Sequence, residues 1–268
     1  MTEPQPLATP DPQLRAPRGR RLLNALLIVS LSINFLGLAA VSYRAVRKGG
    51  LRYLLERLDL RDARPEVKRF QADWLAQMRK LPNTEGEIVF AGDSLINGGP
   101  WAEFYSPVKN RGIGGETTAG LALRLDEVTE SRPRKIFLLV GTNCLAADIP
   151  IAQIVRNYRK LLEQIGRESP ATMVYVIGVL PVNQAIAGGP VHDNASIRGL
   201  NGRLRQLVAE FPRARFIDVS SVLVDREGNL RKELTPDGLR LNFDAYLLLG
   251  KALEPYVSEA DQAPAADR

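Results

Sequence analysis

The chain has 268 residues, 45% hydrophobic and 25% charged, an ordinary globular balance with room for one sizeable domain and further segments. Its formal charge of +6 is uneven: residues 1–63 carry ten Lys or Arg against five acids, so the rest is nearly neutral and offers no basic face for nucleic acid. Cys144 is the sole cysteine, which excludes an intrachain disulfide and leaves the redox compartment unread.

Residues 1–21 are expected as a disordered basic tail, since 1–17 hold five prolines and little apolar content. Residues 22–43 are 22 positions without a charge, close to the roughly 20 that a helix needs to cross a bilayer. The run is longer than the roughly 7 to 15 residues of a signal-peptide core, so an uncleaved single-pass anchor is expected. Basic residues flank it on both sides, Arg15, Arg18, Arg20 and Arg21 before and Arg44, Arg47 and Lys48 after. A short basic N-terminus usually stays inside, which makes the expected localisation of the main domain periplasmic or otherwise extracytoplasmic. Residues 44–85 are expected as juxtamembrane helices. Leu51, Leu54, Leu55 and Leu58 share one helical face and Phe70, Trp74 and Met78 another, a stripe that reads as packing.

Residues 86–257 alternate apolar runs and amphipathic stretches in the way that builds βαβ units and a parallel sheet. Strands are expected near 87–91, 108–111, 136–140, 173–180 and 216–219. A helix over 117–130 has Thr117 or Thr118 as its cap. Ile151, Ile154, Val155, Tyr158, Leu161, Leu162 and Ile165 follow helical spacing, as do Ile197, Leu200, Leu204, Leu207 and Phe211. A closing helix carries Phe243, Tyr246, Leu247, Gly250 and Leu253, with Asn242 as its cap, and 258–268 form a flexible tail. The fold expected is a three-layer α/β sandwich on a five-stranded parallel sheet, flavodoxin-like in its winding.

Polar residues then gather where such sheets place chemistry, at the carboxyl ends of the strands. The first exit gives Gly92-Asp93-Ser94-Leu95, the second Gly112-Ile113-Gly114-Gly115-Glu116-Thr117-Thr118, the third Gly141-Thr142-Asn143-Cys144. A fourth block, Thr235-Pro236-Asp237-Gly238-Leu239-Arg240-Leu241-Asn242, follows the last strand. In this order the set resembles the SGNH or GDSL superfamily of serine ester hydrolases.

The resemblance implies Ser94 as nucleophile, Gly115 as a backbone oxyanion donor, Asn143 as a side-chain oxyanion donor and Asp237 as the carboxylate of an Asp-x-x-His block. It implies an esterase or deacylase acting on a small-molecule or glycan ester. No cofactor is expected, and no Cys, His and Glu spacing suggests a metal.

Position 240 departs from the pattern. Arginine stays protonated and has no lone pair to accept a proton, so it cannot act as the base for Ser94. The single histidine, His192, lies in the loop after the fourth strand, on the same sheet edge as Ser94; it is either a recruited base or an exposed loop residue beside Asp193. Arg240 is open to three readings: binding a ligand carboxylate or phosphate, pairing with Asp237, or marking a decayed site. A pseudoenzyme that holds an acidic or acylated ligand through Arg240 is therefore the alternative to a hydrolase. Trp101 either walls a substrate pocket or packs under the turn. Cys144 reads as small-residue packing, with a nucleophilic role as the alternative.

Overall fold

The computed structural model describes residues 18–47, 69–187 and 193–260, and the chain divides into two units, 1–63 and 64–268. In the first, α1 (Arg18–Arg47) is a helix, with Leu27, Phe35 and Leu38 among its exposed apolar side chains. Polar residues interrupt its apolar run, and the Asn34 amide donates to the Ser30 carbonyl at 2.8 Å. Among the described residues no helix is long and apolar enough to cross a membrane. This finding overturns the anchor expected at 22–43, and with it the single-pass membrane and extracytoplasmic localisation. The tail 1–17, the helix expected over 51–60 and residues 261–268 lie outside the described residues.

The second unit opens with α2 (Arg69–Met78), followed by β1 (Ile88–Gly92), α3 (Ser94–Asn97), α4 (Trp101–Phe104) and β2 (Val108–Gly112). Then come α5 (Thr118–Ala122), α6 (Leu125–Thr129), β3 (Lys135–Leu139), α7 (Thr142–Ala146), α8 (Ile151–Glu168) and β4 (Met173–Ile177). The chain continues through α9 (Asn194–Val208) and β5 (Ala214–Ile217) to α10 (Phe243–Ser258). The sheet order is β2-β1-β3-β4-β5 and every pairing is parallel, the doubly wound arrangement expected from the alternation.

Period-two alternation along the strands divides the apolar residues between the two faces of the sheet. Val89, Ala91, Ile136, Leu138, Val174 and Val176 pack with Leu121, Ile154, Leu161 and Leu204 of the helices on one side. Ile88, Phe90, Phe137, Leu139, Tyr175 and Ile177 pack with Ile96, Trp101, Leu249 and Leu253 on the other. A row of stacked rings crosses this second face, Trp101 on Phe90 at 4.5 Å, Phe90 on Phe137 at 4.6 Å and Phe137 on Tyr175 at 4.7 Å between centroids. Trp101 is wholly buried, with its indole N–H donating to the Ile96 carbonyl at 2.8 Å, so it packs under the turn and does not wall a pocket.

Helix caps follow the sequence closely. Thr117 accepts from Gly120 N at 3.1 Å, Asp193 from Ser196 N at 2.6 Å and Asn242 from Ala245 N at 3.1 Å. One expected helix, 117–130, is broken in two. At the break Arg124 has φ −125° and ψ 17°, and its guanidinium turns inward to the buried carboxylates of Glu116 and Glu127. Pairing those two buried acids outweighs the continuity of a helix turn, because an unpaired buried carboxylate is costly.

Candidate active site

β1 runs between β2 and β3, so its carboxyl end opens on an interior strand, beside the point where the strand order reverses. Gly92 has φ +152°, and a Cβ there would lie 1.9 Å from the Leu139 carbonyl oxygen; only glycine allows the two backbones this approach. The next residue, Asp93, is fully buried. Its N–H donates to the Leu139 carbonyl at 3.1 Å and its Oδ1 accepts from Leu95 N at 2.9 Å, capping α3 with Ser94 as the first helical residue. Burial, opposed by the Leu95 N–H and reinforced by the charge of Glu116, pushes the Asp93 carboxyl up to about 7. Ser94 itself is partly exposed at this edge.

The β2 exit is laced onto α3. A Cβ on Gly112 would sit 2.2 Å from Asn97 N, and the Asn97 amide donates to the Gly112 carbonyl at 3.0 Å. Asn110 donates to the carbonyls of Ile96 at 2.9 Å and Gly99 at 3.1 Å, while its Oδ1 accepts from Gly112 N at 3.0 Å. The chain then turns through Ile113–Glu116, closed by Glu116 N donating to the Ile113 carbonyl at 3.2 Å, with Gly115 at φ +74°.

From β3, Gly141 at φ +150° leads into α7, and the Asn143 amide donates to the Glu116 carbonyl at 2.9 Å. The two expected oxyanion donors, Gly115 N–H and the Asn143 amide, thus stand on loops that touch. An amide nitrogen has two N–H donors, so this contact leaves Asn143 a second one.

Behind the turn lies a buried ion cluster that sequence reading did not single out. Arg124 Nε donates to Glu116 Oε1 at 2.8 Å, its Nη2 also pairs with Glu116, and its Nη1 meets Glu127 Oε2 at 3.2 Å. Arg111 Nε lies 2.5 Å from Glu127 Oε1, and Arg124 Nη2 donates to the Arg111 carbonyl at 2.7 Å. Burial raises the pKa of both glutamates, against the lowering effect of the arginines. Charges spaced as Arg124 and Glu127 are on a helix usually mark a solvated face, so the spacing carried no signal of burial.

Asp237 stands on the loop before α10. Gly238, at φ +83°, fits the loop against the β4 exit: a Cβ would meet the Asn183 carbonyl oxygen at 2.5 Å, and Asn183 N donates to the Gly238 carbonyl at 2.8 Å. Asp237 Oδ1 accepts from Leu239 N at 3.0 Å and Arg240 N at 2.7 Å, and Oδ2 accepts from Arg240 Nη1 at 2.6 Å. Burial works to raise its pKa, but these N–H groups and the Arg240 guanidinium outweigh it and hold the carboxyl below the usual carboxylate range. Of the three readings of Arg240, the pairing with Asp237 is therefore formed. His192 lies outside the described residues.

Cys144 is buried, with its sulfur accepting from Thr118 N at 3.3 Å, and burial pushes the thiol pKa up, which fits packing and not nucleophilic attack. Among the described residues no group of three or more His, Cys, Asp or Glu is placed to hold a metal ion.

The family model described as GDSL-like Lipase/Acylhydrolase matches residues 90–248, from within β1 to within α10. The chain belongs to this GDSL-like acylhydrolase family. It is 30% identical over 177 residues to platelet-activating factor acetylhydrolase IB subunit alpha1 of Rattus norvegicus, a match that covers 63% of this chain and 74% of that protein. It is also similar to a solved structure from Streptococcus pneumonia whose description names a platelet activating factor, at TM-score 0.66 and 30% identity, covering 72% of this chain and 92% of that one. A GDSL-like lipase from Bacteroides thetaiotaomicron VPI-5482 shares the fold at TM-score 0.58 and 20% identity, over 69% of this chain and 96% of that one. The family setting makes this a hydrolase fold associated with ester chemistry.

Proposed function

We propose that this chain hydrolyses esters of short acyl groups, with Ser94 as the nucleophile. The observation that carries the reading is the hydrogen bond from Asn143 to the Glu116 carbonyl, which ties the carboxamide to the turn bearing the Gly115 N–H. Attack of the Ser94 hydroxyl on an ester carbonyl forms a new C–O bond and drives the carbonyl electrons onto oxygen. The Gly115 N–H and the second N–H of Asn143 would stabilise that oxyanion, and removing one such donor typically costs about 10²- to 10³-fold in kcat. Collapse expels the alcohol, and water then releases the acid from the acyl-enzyme. The acetylhydrolase named among the 30% identical relatives supports an acetyl or similarly short acyl group.

The Ser94 proton needs an acceptor, and Arg240 is not one. His192 is proposed for that role, as the only imidazole in the chain. A fluorophosphonate probe on the full chain tests the scheme. Labelling is expected on Ser94, absent in Ser94→Ala and much slowed in His192→Ala; a wild-type chain that takes no label would sink the hydrolytic reading, and unchanged labelling of His192→Ala would remove the histidine from it.

A second reading rests on the ion pair at Asp237. Arg240 fills the seat that the family pattern gives to histidine, its side chain is 71% exposed, and one of its five N–H donors points at Asp237. A fork of this kind suits a carboxylate or phosphate, so a chain that binds an acidic or acylated ligand without turnover is the alternative.

A further inference from the structure

Helix α2 lies outside the family-matched residues 90–248, yet two of its side chains reach the turn that follows β2. Gln71 Nε2 donates to the Gly114 carbonyl at 3.1 Å, and Trp74 Nε1 donates to the Gly112 carbonyl at 3.2 Å. We propose that Gln71 is a positioning residue that fixes the direction of the Gly115 N–H; this rests on the reading of Gly115 as an oxyanion donor.

The geometry of the turn explains why such a residue is needed. Ile113–Glu116 is a four-residue turn, and the φ of +74° at Gly115 is what the third residue of a type II turn requires. Types I and II differ by a flip of the central peptide, here the Gly114 carbonyl with the Gly115 N–H. Those two groups belong to one planar trans unit and point in opposite directions, so fixing one fixes the other. Glycine at both central positions leaves no Cβ to oppose either orientation. The turn's own side chains therefore do not select the state that a catalytic N–H would need. Gln71 does, by holding the carbonyl toward α2 and leaving the N–H to face the other way.

The peptides on either side have different holds. The Ile113 N–H donates to the Gly92 carbonyl at 2.9 Å, the Gly112 carbonyl accepts from Asn97 as well as Trp74, and the Glu116 carbonyl accepts from Asn143. α2 is itself fastened to the domain through buried Met78, and the segment after it through Asn83, whose Oδ1 accepts from Arg111 Nη2 at 3.0 Å. A donor on this helix is thus carried by a fixed support.

Kinetics of the full chain on p-nitrophenyl acetate test the proposal. Gln71→Met keeps the length and removes the donor; kcat is expected to fall about tenfold with KM unchanged, a part of what losing an oxyanion donor outright would cost. Gln71→Lys, which restores a donor, is expected to recover most of the loss. Trp74→Phe should change kcat by less than Gln71→Met, since Asn97 still holds the Gly112 carbonyl. Unchanged kcat in Gln71→Met, or kcat and KM moving together with a drop in thermal stability, overturns it. Should the wild-type chain neither hydrolyse the ester nor label at Ser94, the catalytic reading fails by itself, and a crystal structure of Gln71→Met decides the positioning claim. A flipped or mixed Gly114–Gly115 peptide supports it, and a single unchanged orientation overturns it.

Discussion

The exits of β1, β2 and β3 and the loop before α10 make an instructive pair. At the strand exits the backbones of Gly92 and Gly112 approach their neighbours more closely than any Cβ would allow, and the polar groups are tied across loops by Asn97, Asn110 and Asn143. The loop before α10 is equally well seated, through Gly238 on Asn183, but its charged side chains are open to water: Arg240 is 71% exposed and Asp237 35%. One region retains the residues that the family resemblance assigns to charge stabilisation. The other carries an ion pair between Arg240 and Asp237. Preorganised donors and a competent base are separable features of a serine hydrolase, so under the proposed mechanism the two regions can be tested independently.

The comparison can be broken most severely at the nucleophile. Ser94→Ala is expected to lower ester hydrolysis by at least about 10³-fold, because the donors that remain give only residual catalysis. Loss of activity on that scale, measured as kcat/KM, places the reaction at the strand exits; a small loss would move it elsewhere.

The base side is sharpened by Arg240→His. An imidazole next to Asp237 would be oriented by a carboxylate that already accepts hydrogen bonds from the loop, and general-base assistance is worth about 10²- to 10⁴-fold. On the His192→Ala background, where the proposed base is absent, a rise in kcat/KM of about 100-fold is expected. An unchanged rate would mean that the exposed loop cannot bring an imidazole to the serine.

On the donor side, Asn143→Ala is expected to cost about 10²-fold in kcat with a smaller effect on KM. Arg124→Met probes the support behind it. Removing one partner of a buried ion cluster commonly costs about 3 to 5 kcal/mol, so chemical denaturation should show a large loss of stability. Glu116 and Glu127 would be left without their shared partner, which is the physical source of that cost.

A further expected effect concerns pH. The folded-state pKa of Asp93, raised to about 7, exceeds that of an unfolded aspartate, so between about pH 4 and pH 7 the folded chain binds the additional proton. Stability from this group is therefore present at acid pH and lost as pH rises through about 7. Asp93→Asn keeps an oxygen for the Leu95 N–H and should flatten that part of the profile, as read from thermal unfolding at pH 5 and pH 8. Asp237 works in the opposite direction. Its carboxyl is held low, so its contribution is present above the ordinary aspartate range and is lost as pH falls through the folded value. Exposure to water keeps that contribution small.

Much of this architecture was legible because it rests on local rules. Continuous apolar runs such as 136–140 read as buried parallel strands, and Thr117, Asn242 and Ile151 through Ile165 announced their caps and faces. The tight exits at Gly92 and Gly238 were legible as glycine-bearing turns, whereas the roles of Ser94, Gly115, Asn143 and Asp237 come from the family resemblance and are proposals. What stayed hidden depends on contacts distant in sequence. Arg124 sits among helical charges that normally face water, and nothing local shows that Glu116 will draw it inward. Trp74 shares with Phe70 and Met78 a helical stripe that reads as packing; Met78 is buried, whereas Trp74 is 41% exposed and hydrogen-bonds a carbonyl 38 residues away in the chain. The apolar run of 22–43 shows the converse limit, since an uncharged segment formed a helix without meeting the requirements of a membrane span.

The central claim is that the serine at the β1 exit is a working nucleophile although the loop before α10 carries arginine. Mass spectrometry of the full chain after exposure to a fluorophosphonate, run beside Arg240→His, measures this directly. A phosphonyl adduct on Ser94 in the wild type, formed faster in the variant, is the expected result. No adduct on Ser94 in either protein, with both folded, would contradict it.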